Sequence, residues 1–308
     1  MVEYLACGNI MSDFVERADG TIEPMHMGGP AFFALTGIRL WSKSCKLVCQ
    51  AGADYKESYG KWMTANGLSC DGINVAAEKG TQHFIKHNED GTYDFRSRFG
   101  QELLGYLKTR PEDIERALTP GVKGVYMAQN VDRIYWQKLR ALKEKYEFKF
   151  MWELEGKPSF LSDEEWLPAV KSVIADADMW SLNSTEASIL FGIPKANEED
   201  IINEIMKMPV EMTLFRVGKK GAYAVSPSNA VFCPSIDITE SVDPTGCGNC
   251  STGAAMYAHL AGHSLKEVAV MANISAGYNA AQFGPFMQFT DEVMENAQEL
   301  RKKYVASL

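Results

Sequence analysis

The sequence lacks the features that mark membrane-spanning, secreted and nucleic-acid-binding proteins. No apolar run approaches the roughly 18 residues that a membrane-spanning helix needs. The first residues contain no basic stretch followed by an apolar one, so no secretory signal is recognisable. Acidic residues outnumber basic ones, 40 to 31, for a net charge of −9, and no block of Lys and Arg is present to neutralise phosphates. We therefore expect a cytoplasmic protein that binds neither nucleic acid nor membranes.

The sequence also lacks the signs of a disulfide framework. It contains 7 cysteines, an odd number, and its 308 residues are enough to bury a core without covalent staples. Reduced thiols are therefore expected. Hydrophobic residues make up 46% of the chain and charged residues 23%, which is the balance of a folded globular protein. The length fits two ordinary domains or one large α/β domain with an insertion.

Short apolar segments alternate with amphipathic helical patterns along most of the chain, which is typical of βαβ units around a mostly parallel sheet. The predicted strands are residues 4–7, 46–50, 122–127, 148–154, 179–182 and 212–217. The predicted helices are residues 30–41, 55–65, 131–145, 163–174, 198–206, 246–261 and 265–283. We expect a single α/β domain over residues 1–308.

Two segments, residues 13–27 and 73–99, depart from this alternation. Each carries turn-forming residues, at 18–20 and 88–91, between short strand-like runs, so each is predicted to form a β-hairpin. We expect a small inserted β-sheet that could cover a site at the carboxyl ends of the parallel strands. The exposed edges of such a sheet could also pair two subunits into a homodimer.

The strongest local signal lies between Ser241 and Ala254, where Gly246 and Gly248 flank Cys247 just before a long apolar stretch. Glycine permits left-handed backbone and the close approach of a ligand. Unpaired N–H groups in a turn that leads into a helix bind anions, and phosphate is the expected guest. A glycine pair can also simply cap and pack a helix, so the flanking residues decide between the two.

Residues 243–249 have the sequence Asp-Pro-Thr-Gly-Cys-Gly-Asn, which closely resembles the Asp-(Thr/Pro)-Thr-Gly-Ala-Gly-Asp signature of the ribokinase-like (PfkB) family of carbohydrate and nucleoside kinases. Other segments resemble further motifs of that family, in family order. They are residues 8–13, 27–31, 51–54, 183–186, 217–222 and 272–273. Each match is weak alone, but the ordered set is specific.

This resemblance implies a fold, an activity and cofactors. The fold is a ribokinase-like three-layer α/β/α sandwich with a mostly parallel central sheet and a small β-sheet lid. The activity is transfer of the γ-phosphoryl group of ATP, with Mg²⁺, to a hydroxyl of a sugar, nucleoside or related small molecule. Such transfer depends mainly on positioning and on stabilisation of charge.

The resemblance also assigns roles to residues of this chain. The positions around the transferring phosphoryl group are Gly246, Cys247, Gly248 and Asn249. The substrate positions are Asp13, Gly28, Gly29 and Phe33. The nucleotide positions are Asn183, Glu186, Arg216, Gly218, Gly221 and Asn273, with Glu186 acting indirectly on Mg²⁺.

Asn249 stands where the family signature has the Asp that serves as catalytic base. A neutral amide can orient a hydroxyl but has no useful basicity near neutral pH, and general base catalysis is typically worth about 10²–10⁴-fold in rate. Three alternatives stay open. The protein is a slow kinase, or a kinase that uses another carboxylate such as Glu153 or Glu155, or an impaired homologue that binds nucleotide or sugar as a sensor or scaffold.

Two further departures concern ligand contacts. Phe32 and Phe33 stand where many relatives place a sugar-binding Asn. Either both are core residues or one faces the pocket, which would suit a nucleoside. Arg216 replaces a small hydroxyl residue, and it could pair with nucleotide phosphates or be solvated.

Cysteine and histidine side chains offer competing interpretations. Cys247 and Cys250 have the Cys-x-x-Cys spacing of a redox motif at a helix start, where a thiolate would be stabilised. A thioredoxin-like domain would carry that motif early in a short fold, directly after a strand. His83 falls in the small predicted sheet, where a solvated strand residue is expected rather than a ligand.

Overall fold

The computed structural model describes residues 1–17, 19–87 and 93–308. In chain order its strands are β1 (Tyr4–Cys7), β2 (Met11–Glu16), β3 (His26–Gly28), β4 (Cys45–Gly52), β5 (Ile73–Ala77), β6 (Gln82–His87), β7 (Tyr93–Ser97), β8 (Gly124–Gln129), β9 (Lys149–Leu154), β10 (Met179–Asn183), β11 (Met212–Arg216), β12 (Gly221–Ser226) and β13 (Asn229–Pro234). Its α-helices are α1 (Pro30–Arg39), α2 (Tyr59–Ala65), α3 (Gln101–Tyr106), α4 (Pro111–Ala117), α5 (Arg133–Tyr146), α6 (Asp163–Ile174), α7 (Ser184–Phe191), α8 (Glu198–Ile205), α9 (Cys247–Leu260), α10 (Leu265–Ala280) and α11 (Asp291–Ser307).

A nine-stranded sheet, in the order β13-β12-β11-β10-β9-β8-β1-β4-β5, forms the centre of the molecule. Neighbouring strands from β11 through β5 are parallel. The last two pairings, β11 with β12 and β12 with β13, are antiparallel. The six strands predicted from apolar runs all lie in this sheet, with ends shifted by no more than two residues. The predicted mostly parallel α/β architecture is therefore confirmed.

Helices cover both faces of this sheet, which gives three layers. One hydrophobic core lies between the sheet and α1, α2, α9, α10 and α11. A second core lies between the opposite face and α4 to α8. The central strands are buried on both sides, which explains why their sequences are nearly continuous apolar runs rather than alternating ones.

The small sheet has the order β3-β2-β6-β7. Strands β2 and β3 pair antiparallel, as do β6 and β7, and β2 joins the two pairs by lying parallel to β6. Residue 18 of the first predicted turn and residues 88–91 of the second lie outside the described residues. The sheet uses parts of both segments, 13–27 and 73–99, that were expected to be inserted.

The segment predicted over residues 73–99 begins too early for the small sheet. Residues 73–77 form β5, which pairs parallel with β4 at the edge of the large sheet, with Cys49 opposite Ile73. The reason is the connection, because α2 carries the chain from β4 back to the start of a parallel neighbour, as in an ordinary βαβ unit. Only the part of the segment from Gln82 onward belongs to the small sheet.

The helix predicted over residues 55–65 is also interrupted. A 3-10 turn at Ala53–Glu57 precedes α2. The helix expected to reach residue 283 ends at Ala280, before a loop that contains Gly284 with a φ of +72°. The β12–β13 hairpin and the terminal helix α11 were not among the predicted elements.

Candidate active site

The glycine-rich turn before α9 has the geometry of an anion site. Gly246 has a φ of +79°, a left-handed conformation that favours glycine. The carboxylate of Asp243 accepts hydrogen bonds from the backbone N–H and the hydroxyl of Thr245, at 3.0 and 2.7 Å. The N–H groups of Gly248 and Asn249 lie in the first turn of α9, where a helix offers them no internal acceptor. These amides and the helix dipole would stabilise an anion here.

Phe32 and Phe33 are both buried, but only Phe33 lies against this turn. Phe33 is 2% exposed, and a Cβ on Gly246 would overlap its ring, so the aromatic face packs directly against the turn. Phe32 is a core residue, and its ring meets those of Tyr59 and Trp62 edge-on at 4.7 and 4.8 Å. The contact of Phe33 with a substrate stays a prediction.

A hydrogen-bonded network connects Asn249 to charged side chains at the carboxyl ends of the strands. The Asn249 amide Nδ2 donates to Tyr126 Oη at 3.3 Å, and Tyr126 Oη donates to Glu153 Oε2 at 2.5 Å. The other oxygen of Glu153 pairs with Arg216 at 2.9 Å, and Arg216 lies 3.9 Å from Glu186. Glu153 is 4% exposed, so one cation and two carboxylates share a nearly dry site.

The Arg216 side chain is mostly buried, so the alternative that it is solvated is wrong. Its side chain is 14% exposed. A Cβ on Gly248 would overlap the Arg216 guanidinium, so this cation lies directly against the glycine turn. The arrangement places a fixed positive charge beside the amides that are suited to a phosphate.

Asn183 and Glu186 form a capping box at the start of α7. The Asn183 side chain accepts from the N–H groups of Thr185 and Glu186 at 2.9 and 3.0 Å, and Glu186 Oε2 accepts from the Asn183 N–H at 2.7 Å. Burial raises the pKa of Glu186, while the Arg216 charge opposes that rise. The motif therefore has a structural role at this helix end as well as a position beside the site.

A cleft of about 370 Å³ opens beside these residues. Its lining includes seven of the residues assigned to nucleotide or phosphate, namely Asn183, Arg216, Gly218, Gly221, Cys247, Gly248 and Asn273. Glu186 lies next to it through its contact with Arg216, and Asn249 directly follows the lining residue Gly248. The side chain of Asn273 donates to the Ala269 carbonyl at 2.8 Å, so it is held against its own helix α10.

Asp13 forms a second polar centre, on strand β2 of the small sheet. Its side chain packs over Gly28, where a Cβ would overlap Asp13 Oδ2, and it is 4% exposed. Asp13 Oδ1 accepts no hydrogen bond from the described residues, and it lies 3.7 Å from Nδ1 of His83. Burial raises the pKa of Asp13, and the charge of Asp243 raises it further. His83 opposes this rise. A buried carboxylate oxygen that accepts no hydrogen bond is suited to receive a ligand hydroxyl.

The expectation that His83 is solvated is wrong. Its side chain is 0% exposed, and its ring packs on Phe95 with centroids 4.2 Å apart. The parallel pairing of β2 with β6 places Asp13 opposite His83, which a sequence pattern cannot show because the pairing is non-local. Gly29, with a φ of +98°, lets the chain turn directly into α1, and a Cβ there would come within 2.6 Å of the Asn9 carbonyl oxygen.

The family profile described as pfkB family carbohydrate kinase matches residues 8–286. The chain belongs to this family. A stretch of 124 residues, which is 39% of this chain, is 31% identical to the bifunctional protein HldE of a Nitratiruptor species. It covers 26% of that protein. The match thus spans about a quarter of that relative's length.

Solved structures of kinases share the fold of this pfkB family member. A putative ribokinase II from E. coli in complex with ATP and Mg²⁺ is 16% identical, with a TM-score of 0.76 over 98% of this chain and 100% of that chain. The nucleoside kinase of Burkholderia thailandensis in complex with inosine is 17% identical, with a TM-score of 0.71 over 98% and 97% of the two chains. At these identities the likeness establishes the ribokinase-like fold.

The thiols of this pfkB family member do not have the properties of a redox pair. Burial raises the pKa of Cys247 to about 11, and it raises the pKa of Cys250 as well. The Cys247 sulfur accepts from Asn279 Nδ2 at 3.4 Å, and the Cys250 thiol donates to the Ser275 carbonyl at 3.3 Å. Reactive cysteines have lowered rather than raised pKa values, so the redox interpretation of the motif fails.

The residues around the glycine turn fit a magnesium nucleotide. Over residues 1–17, 19–87 and 93–308, no group of three His, Cys, Asp or Glu side chains is arranged to hold a metal. Magnesium that arrives on nucleotide phosphates needs only one or two protein carboxylates, and Glu186 lies 3.9 Å from the Arg216 guanidinium that contacts the turn. In the same described ranges, no helix is both long and apolar enough to span a bilayer.

Proposed function

We propose that the protein transfers the γ-phosphoryl group of ATP to a hydroxyl of a sugar, nucleoside or related small molecule. The observation that carries the proposal is the contact of the Arg216 guanidinium with the glycine turn at one side of the cleft. A cation held beside helix N-terminal amides is an arrangement suited to phosphate charge.

The phosphate side would act through charge and position. The amides of Gly248 and Asn249 and the Arg216 guanidinium would hold the oxygens of the transferring group. Mg²⁺, when bound with the nucleotide, would bridge phosphate oxygens and neutralise their charge. Glu186 would face this ion through water, while its other oxygen stays bound to the Asn183 N–H.

The substrate side would act through Asp13. Its Oδ1, which accepts no hydrogen bond from the described residues, would accept one from a substrate hydroxyl, and the missing side chain at Gly28 leaves room for the carboxylate to lie there. Because hydrogen bonds to charged groups contribute about 1.5–3 kcal/mol, loss of this contact would be felt in substrate binding. Among hydroxyl compounds the choice of substrate depends on the shape of the pocket and of the small sheet.

Asn249 favours a second candidate function, a homologue that binds nucleotide or a hydroxyl compound without turnover. The amide keeps an acceptor oxygen at the position of the family's base but cannot itself hold the proton of an attacking hydroxyl. Such a protein would retain the phosphate site and Asp13 and would act as a sensor or scaffold.

The experiment is a direct assay of phosphoryl transfer. The protein with Asn249 and its Asn249→Asp variant are incubated with ATP, Mg²⁺ and a panel of sugars, nucleosides and polyols, and phosphorylated products are detected by mass spectrometry. We expect transfer by the unchanged protein, and a fall of kcat/KM by about 10–100-fold in Asp13→Asn, from the loss of a charged hydrogen bond. Asp291→Asn is the matched control, because that side chain is 84% exposed and its ion pair is with Lys43, away from the cleft.

The outcomes separate the two functions. Phosphorylation of any panel member by the unchanged protein excludes the non-catalytic homologue. If neither the unchanged protein nor Asn249→Asp transfers phosphate although both bind ATP in calorimetry, the kinase proposal fails and the binding protein is supported.

A further inference from the structure

The hydrogen bonds from Asn249 into the protein interior run in a single direction. Asn249 Nδ2 donates to Tyr126 Oη at 3.3 Å, and Tyr126 Oη donates to Glu153 Oε2 at 2.5 Å. Tyr126 is 0% exposed and Glu153 is 4% exposed, so water does not interrupt this chain. The chain begins at the position where the family's base would stand and ends on a carboxylate.

The chemistry of the three groups fixes that direction. An ionised carboxylate only accepts hydrogen bonds, so the single hydroxyl proton of Tyr126 must point at Glu153. The Tyr126 oxygen is then an acceptor toward Asn249, which requires the amide nitrogen of Asn249 to face it. The amide oxygen consequently faces away from Tyr126, and no described residue donates a hydrogen bond to it. That oxygen is free to accept one from a ligand hydroxyl.

We propose that Asn249, Tyr126 and Glu153 form a proton relay that replaces the missing carboxylate base, with Glu153 as the final acceptor. The inference rests on the proposed phosphoryl transfer. Asn249 touches the substrate hydroxyl, whereas Tyr126 and Glu153 act through it from the interior. A relay of this kind gives the amide a function that its own basicity cannot provide.

The proton movements balance without any further reactant. The substrate hydroxyl gives its proton to Asn249 Oδ1 while Nδ2 gives one to Tyr126 Oη, which leaves the side chain as its imidic acid tautomer. Tyr126 in turn gives its own proton to Glu153 Oε2 and stays neutral. The substrate oxygen bonds to the γ-phosphorus, the bond from that phosphorus to ADP breaks, and ADP keeps the electron pair. After product release the same transfers run backwards and deliver the proton to water.

Arg216 couples the relay to the phosphate site. It pairs with Glu153 Oε1 at 2.9 Å and lies against Gly248, where nucleotide phosphate charge would arrive. The pair holds the Glu153 carboxylate in place, and its other oxygen accepts the hydrogen bond from Tyr126.

The test uses Tyr126→Phe and Glu153→Gln, each made in the unchanged protein and in the Asn249→Asp background. In the unchanged background, we expect either change to lower kcat by about 10²-fold, the lower end of general base catalysis, with KM for both substrates little changed. In the Asn249→Asp background, we expect neither change to matter by more than about threefold, because a carboxylate at that position takes the proton directly. Tyr135→Phe is the matched control, since that buried hydroxyl contacts Met127 and lies outside the relay.

This design distinguishes a relay from a structural role. Equal losses of kcat in the two backgrounds would mean that Tyr126 and Glu153 only support the fold, and the relay would be refuted. Unchanged kcat in Tyr126→Phe would refute it as well. Transfer by Asn249→Asp alone refutes the relay but leaves the proposed kinase site standing, whereas no transfer in either background overturns the proposed function itself. Thermal unfolding of each variant identifies any that do not fold.

Discussion

At the scale of single residues, the candidate site contains buried polar groups whose burial lowers the stability of the folded protein. Asp13 shows this most clearly, because its carboxylate is 4% exposed and Oδ1 has no hydrogen-bond partner among the described residues. Burial raises the pKa of Asp13 above its ordinary value of 3.8. Sites that bind ligands commonly hold such unsatisfied groups, which are satisfied only when the ligand arrives.

The raised pKa of Asp13 gives a prediction about stability and pH. A group whose pKa is higher in the folded state stabilises the protein fully below its unfolded pKa, and that contribution is lost as the pH rises through the folded pKa. We therefore expect Asp13→Asn to raise the melting temperature by a few degrees at about pH 7–8, with the gain shrinking toward about pH 4. Calorimetric unfolding across this range is the measurement, with Asp291→Asn as the exposed control. A loss of stability at neutral pH in Asp13→Asn would contradict the argument.

At the scale of elements, the position of the anion turn depends on how closely α9 packs against α1. A Cβ on Gly253 would overlap the backbone carbonyl of Ala34, and one on Gly37 would overlap that of Cys250. Glycine on each helix therefore lets the two backbones meet. This contact fixes the start of α9 over Phe33, and with it the amides of Gly248 and Asn249.

The close contact predicts a large effect from a small substitution. Gly253→Ala should lower the free energy of unfolding by about 1–3 kcal/mol, because the clash is with backbone that cannot move aside and outweighs the better helix propensity of Ala. Gly60→Ala in α2 is the control, since its Cβ would meet nothing closer than 3.8 Å. That change should be neutral or raise stability by up to about 1 kcal/mol. Denaturant unfolding measures both, and equal effects of the two substitutions would refute the packing argument.

The elements also show what a sequence can and cannot predict. The buried parallel strands and the turn at Gly246 were predictable because each is encoded by a local apolar run or a local glycine pattern. Residues 73–77 were predicted to belong to the small sheet, but they form β5 at the edge of the large one. Their mixed composition suits the edge of either sheet, and only the crossover through α2 determines which sheet they join. The partners Tyr126, Glu153 and Asn249 come from three separate elements. Tyr126 resembles an ordinary core residue of a strand until the fold places its hydroxyl on a carboxylate.

At the scale of the whole molecule, the charge distribution opposes the ligand that the site would bind. The chain carries a net charge of −9, and ATP is an anion. The attraction is local, from the part-buried Arg216 and the helix amides, so it acts only once the nucleotide has reached the cleft. Long-range repulsion and short-range attraction respond differently to salt. Salt screens interactions between exposed charges over about 8 Å at roughly 0.15 M ionic strength, whereas it screens interactions of buried charges much less.

This contrast predicts an unusual salt dependence of nucleotide binding. Raising the ionic strength from about 0.02 M to about 0.15 M should increase the association rate of a fluorescent ATP analogue, by about twofold or more, while its dissociation rate changes little. Stopped-flow fluorescence measures both rates, and an uncharged nucleoside carrying the same fluorophore is the control, whose association should not respond to salt. An association rate that falls as salt is added would mean that the positive potential of the cleft extends beyond its mouth. The net charge would then have no influence on how the nucleotide reaches the site.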